Sequence, residues 1–147
     1  MKKSTVVLLV AVVISAGAFA SRGVSISEKV VKSFKETFPQ AEKVNWEEFS
    51  DRYIVHFEEN NIRTVVDYDK DGNYLSSKRY YSEMNLPVNI ICKLRKKFAD
   101  QKVAGVTEVS NDITTEYYIK MEDAHDWITV KSDVSGAMEV VEKYQKQ

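Results

Sequence analysis

Few residues in this chain have the types and spacing that chemistry needs. Asp67-x-Asp69-x-Asp71-Gly72-Asn73 resembles the first half of a calcium loop, in which oxygens at alternate positions converge on one hard cation. A complete loop closes with a bidentate Glu at its twelfth position, and that position here is Lys78. The alternative, which we prefer, is a hairpin turn with Asp71-Gly72 supplying the positive φ. His56 and His125 are the two histidines, and His125-Asp126 is an adjacent base-acid pair. A nucleophilic site also needs a Ser or Cys held by the base. The single cysteine, Cys92, sits in a helical pattern, and nothing in the sequence brings it to either histidine; an inert, half-buried thiol is expected. Zinc wants three or four ligands at short spacings, which two distant histidines do not provide. Glu47-Glu48 and Glu58-Glu59 are neighbours in extended segments, so their carboxylates point to opposite faces. Five scattered glycines build no phosphate loop. The sequence therefore predicts no catalytic residue, no cofactor and no metal site.

The elements that carry these residues are better defined. Trp46 to Tyr74 reads as strand, turn, strand, turn, strand. Glu42–Phe49 alternates with Val44 and Trp46 on one face. Tyr53, Val55 and Phe57 share a face in the next strand, and Ile62, Thr64, Val66 and Tyr68 in the third. A polar, Tyr-rich fourth strand runs over Tyr74–Tyr81. Before this meander, Ile26, Val30, Phe34 and Phe38 form one helical stripe. Ser25 and Glu28 are read as a capping box, and Pro39 ends the helix. A second helix is expected with Asn85 as its cap, Pro87 in its first turn and a stripe of Leu86, Ile90, Ile91, Leu94 and Phe98. Strands follow near Val103–Ser110, Thr114–Glu122, Asp126–Ser132 and Ala137–Lys143. Tyr53, Val55, Phe57, Val66, Asp69 and Gly72 align 64 residues later with Tyr117, Ile119, Met121, Val130, Asp133 and Gly136. The order α-β-β-β-β thus occurs twice, and no Gly-, Ser- or Pro-rich linker parts the halves.

Met1-Lys2-Lys3, the apolar run Val6–Ile14 and Ala18-Phe19-Ala20 match a secretory signal peptide over residues 1–20, with cleavage expected near Ala20-Ser21. The run is too short to span a membrane, which takes about 20 apolar residues. The expected product is periplasmic or secreted, without stable membrane insertion. Its 127 residues divide into units at 21–82 and 83–147, with 19 basic and 22 acidic residues, a formal charge of −3. That balance gives no footprint for nucleic acid. One cysteine forms no intramolecular disulfide, so stability rests on burial.

One helix per four strands covers only one sheet face. Phe34 and Phe38 are expected over Trp46, Tyr53, Val55, Phe57 and Val66, and Leu94 and Phe98 over Tyr117, Ile119, Met121 and Val130. Alternation then sends Ile54, His56, Arg63, Val65, Tyr118, Lys120, Trp127 and Thr129 to the uncovered face. Aromatic and aliphatic residues beside Arg and Lys have the composition of a protein-binding surface. Ordinary cross-strand packing on a wet face gives the same pattern. The Lys93–Lys97 basic run is read as a solvated helix face with cations at a C-terminus.

Phe34-x-x-x-Phe38-Pro39-x-Ala41, Val44-x-Trp46, Tyr53-x-Val55-x-Phe57, Val66-Asp67-Tyr68-Asp69-x-Asp71-Gly72 and Leu86-Pro87 together resemble the exported PepSY-like proteins, which are related in fold to the β-lactamase inhibitory protein. The resemblance spans nearly all of the chain after residue 20. Two departures stand in the second half: Ala99 follows Phe98, and Gly136 lacks the acidic run. The resemblance implies an α+β fold of tandem α-β-β-β-β units, with helices on one face of an antiparallel sheet and an open concave face on the other. It also implies binding or inhibition of other proteins, often peptidases, without implying any particular enzyme. With the uncovered face and the absent catalytic set, it leads to the expectation of a non-catalytic exported module that binds another exported or envelope protein. The alternative is a small-ligand or calcium-binding periplasmic module. No residue role is carried over from the family.

Overall fold

In a computed structural model, residues 25–147 are described. The signal segment and the start of the leader lie outside them. Helix α1 (Glu28–Thr37) precedes strands β1 (Glu42–Glu48), β2 (Arg52–Glu59), β3 (Ile62–Asp69) and β4 (Tyr74–Tyr81). A 3-10 turn, Glu83–Asn85, leads to helix α2 (Val88–Lys97) and to β5 (Lys102–Asn111), β6 (Thr115–Glu122), β7 (Asp126–Asp133) and β8 (Met138–Gln145). All eight strands form one antiparallel sheet in sequence order, so the β4–β5 pair joins the first four strands to the last four.

Both helices pack on the same face. Val30 and Phe34 of α1 are buried with Tyr53, Val55, Phe57 and Val66, and Phe38, Val44 and Trp46 close the edge of this cluster. Phe34 meets the rings of Trp46 and Phe57 edge-on at centroid distances of 5.3 and 5.1 Å. Ile90 and Leu94 of α2 are buried with Tyr117, Ile119, Met121 and Val130, with Phe98 partly buried beside them. Stripes at helical spacing therefore meet the inward row of each strand, as the sequence predicts.

Helix starts differ from expectation. Ser27, not Ser25, is the N-cap of α1; its carbonyl accepts the Val30 and Val31 N–H groups at 3.0 and 3.1 Å, and no side chain caps the helix. Ile26 packs against the core as the chain enters, which holds this segment out of the helix. Pro87, not Asn85, is the N-cap of α2, and Asn85 ends the 3-10 turn. Leu86 is buried and extended (φ −69°, ψ 147°), the backbone that a residue before proline prefers, so the helix cannot begin earlier. Cys92 is exposed on the outer side of α2, since the helical period that buries Ile90 and Leu94 turns it outward.

The two halves share local backbone details. Phe38 and Phe98 end their helices at φ −125° and −130°, and each donates its N–H to a carbonyl four residues back at 2.8 Å. The β3–β4 and β7–β8 turns carry Gly72 at φ +87° and Gly136 at φ +82°. The pairing shifts once between Glu42 and Asn45 opposite β2, and once between Val103 and Gly105 opposite β6.

Candidate docking face

The open face can be read along the strand register. Glu58 pairs with Arg63, Arg63 with Tyr80, Tyr80 with Thr107, Thr107 with Tyr118, and Tyr118 with Lys131, so one row crosses six strands. In the neighbouring row of the first half, His56 pairs with Val65; in the second half, Lys120 pairs with Thr129. Ile54 pairs with Asp67, and Trp127 with Glu122. All eight residues expected on this face stand there, because their neighbours Val55, Val66, Ile119 and Val130 are fixed inward by burial. Among the described residues no helix covers it.

Two shallow grooves share Arg63 and Tyr80. One encloses about 480 Å³ and also takes in Gly105, Tyr118, Lys120 and Trp127. The other encloses about 420 Å³ and includes Lys43, His56, Glu58 and Val65. Ile54 and Thr129 line neither groove, and Thr129 donates its hydroxyl to Glu142 at 2.8 Å.

Most charges here are already engaged. Lys43 Nζ meets Glu58 at 2.5 Å, and this contact raises the pKa of the ammonium. His56 Nε2 lies 3.1 Å from Glu47. Lys131 Nζ lies 2.8 Å from Glu116, and its hydrogen bond, with a second from the Tyr118 hydroxyl, holds that carboxyl below the usual range. Lys146 Nζ meets Glu122 at 2.6 Å and stands 4.8 Å from the Trp127 ring centroid. Arg63 and Lys120 are different. Arg63 lies 5.5 Å from the Tyr80 ring centroid and Lys120 5.0 Å from that of Trp127, both within cation–π range. Both are exposed, and among the described residues neither is in ion-pair contact with a carboxylate.

Sequence reasoning missed Tyr80 and Gly105. Each follows a bulge. Tyr68 pairs with Tyr74 but Asp67 with Ser76, so Leu75 is an extra residue, and Tyr74 and Ser76 face opposite sides. Ala104 does the same in β5. Simple alternation from either strand's start assigns the wrong face.

The residues considered for catalysis or metal binding do not assemble. His125 is exposed on the β6–β7 turn, where its N–H donates to Asp123 Oδ1 at 2.8 Å. No group of three or more His, Cys, Asp or Glu suited to a metal occurs among the described residues. Asp69 Oδ1 accepts the N–H groups of Asp71 and Asn73 at 2.9 and 2.8 Å, while Oδ2 accepts the Asn73 side-chain amide at 2.7 Å. These bonds lower its pKa and make the acidic run a self-satisfied turn.

No protein-family model matches the chain, and no curated protein matches it in sequence. Solved structures do. A BLIP-like protein from Bacteroides fragilis NCTC 9343 superposes at TM-score 0.61 and 17% identity, over 83% of this chain and 87% of that one. The chain has a BLIP-like fold. A DUF2874 family protein from Bacteroides ovatus ATCC 8483 superposes at TM-score 0.61 and 18% identity, covering 84% of this chain and 89% of the other. A protein from Bacteroides eggerthii DSM 20697, described as periplasmic, gives TM-score 0.60 at 17% identity, over 83% and 90%. None of these three bears the PepSY name; what they share with this chain is an open antiparallel sheet with two helices.

Proposed function

We propose that this chain is a non-catalytic exported module whose open sheet face docks another exported or envelope protein, as an inhibitor of a peptidase or other envelope protein or as a scaffold. The observation that carries this reading is the placement of aromatic, aliphatic and cationic residues on one uncovered face eight strands wide. Interfaces of this kind concentrate Tyr, Trp and Arg in their energetic centre. The BLIP-like fold of a Bacteroides protein supports the reading, and a structural neighbour described as periplasmic supports export. Among the described residues no helix is long and apolar enough to cross a membrane.

The architecture is read as two copies of an α-β-β-β-β unit, at 21–82 and 83–147. The repeated helix ends, glycine turns and strand bulges support that division. The non-enzymatic reading is supported by His125 on an exposed turn and Cys92 on the outer side of α2. The calcium alternative is disfavoured by Asp69, whose carboxylate already bonds its own turn.

The test is affinity capture from an envelope extract, followed by cross-linking of the captured protein. The wild-type chain is expected to retain one partner, with cross-links on β2, β3, β6 and β7. If the combined Arg63→Ala, Tyr118→Ala, Trp127→Ala variant captures that partner equally well, the open face is the wrong surface.

A further inference from the structure

Building on the docking reading, we propose that the groove from Arg63 to Trp127 recognises an acidic segment of its protein partner. Charge complementarity selects this occupant. Glu58, Glu116 and Glu122 on this face are each held by a lysine of the same chain, and Glu47 lies 3.1 Å from the His56 imidazole. Arg63 and Lys120 are left as cations laid on aromatic rings, with no carboxylate in ion-pair contact among the described residues. Arg63 even pairs by register with Glu58, yet Glu58 is taken by Lys43 at 2.5 Å. A partner that covers the groove removes water from both cations, and an uncompensated buried charge is costly. A partner bringing Asp or Glu compensates them, while one bringing Lys or Arg adds repulsion. The floor suits a polypeptide: Tyr80, Tyr118 and Trp127 line it with aromatic surface, and Gly105 leaves open space among them. A Cβ built at Gly105 meets no atom within 4 Å, so the gap is space left by a missing side chain.

That gap supplies a blocking variant. In Gly105→Phe the new ring stands in the groove without displacing a core residue. The isotope-labelled chain is titrated by NMR with the synthetic acidic pentapeptide acetyl-Glu-Ala-Tyr-Ala-Glu-amide and with its Gln and Lys counterparts. The acidic peptide is expected to shift the amides of Arg63, Gly105, Tyr118 and Lys120. The Gln peptide, which loses both charged contacts, is expected to bind at least about tenfold more weakly, and the Lys peptide to leave the spectrum unchanged. Added salt weakens the acidic peptide, and Gly105→Phe abolishes its shifts while keeping the wild-type unfolding curve.

Equal binding of acidic and Gln peptides, or no binding of the acidic one, overturns the acidic preference and leaves the docking face standing. Capture of the envelope partner by folded Gly105→Phe at wild-type strength overturns the groove itself. Undiminished capture by the triple alanine variant removes the docking reading as well.

Discussion

Tyr81 on β4 donates its hydroxyl to Glu108 Oε2 on β5 at 2.5 Å, across the strand pair that joins the first four strands to the last four. Arg79 supports the same carboxylate at 3.3 Å, and burial together with this bond raises the Tyr81 pKa. Tyr81 is itself buried in the hydrophobic cluster under α2, so the bond ties that core to the strand seam. Tyr81→Phe should therefore lower stability by about 1.5–3 kcal/mol, the range for a hydrogen bond to a charged group. Urea unfolding measures it; a change within error would mean that the seam relies on backbone pairing alone.

A single sheet makes the two cores mutually dependent. Leu94→Ala removes a side chain with 0% exposure from the second cluster and should cost about 2–5 kcal/mol. The entire transition should move as one, read by Trp46 in the first half and Trp127 in the second. Separate melting of the two tryptophan environments would show that the halves unfold independently.

Three glycines should respond differently to alanine. Gly72 and Gly136 hold φ +87° and +82°, so Ala at either is expected to cost about 1 kcal/mol or more. At Gly136 the added Cβ also comes 2.8 Å from the Lys93 side chain, which can move aside. Gly105 has neither constraint, and Gly105→Ala should be neutral or slightly stabilising. Thermal unfolding of the three variants, run side by side, decides the ranking.

Acid should loosen the turns. The His125 and Asp126 N–H groups, with the Gln101 amide, hold the Asp123 carboxyl down at about 2, and Asp69 and Asp133 are lowered by their own turn bonds. A depressed carboxylate contributes stability above its unfolded pKa of about 3.9, and that contribution is lost as pH falls through the folded value. Stability should decline between about pH 4 and pH 2. Asp123→Asn should flatten part of that slope; an unaltered profile would place the acid sensitivity elsewhere.

Calcium should leave the melting temperature unchanged. Asp69 spends both carboxylate oxygens on Asp71 and Asn73, so a cation would have to break the turn to reach them. A rise in melting temperature with millimolar calcium, absent in Asp69→Asn, would reverse this reading.

Local pattern alone determined the helices, the strands and which residues share an inward row. Period-four stripes such as Val30-Phe34 and alternating runs such as Tyr53-Val55-Phe57 can be buried in only one way. They also sent Arg63, Tyr118, Lys120 and Trp127 to the opposite face, since each lies beside a residue that must face inward. Tertiary structure decided what alternation cannot carry. The bulges at Leu75 and Ala104 reverse the phase within a strand, bringing Tyr80 and Gly105 into the groove. Helix starts at Ser27 and Pro87 were set by the packing of Ile26 and Leu86, not by the nearest capping side chains. Which cations stay unpaired depended on contacts between strands distant in sequence, such as Lys43 taking Glu58 from Arg63. A one-dimensional pattern records neither a phase slip nor a competition for a partner, because both arise only when strands are laid side by side.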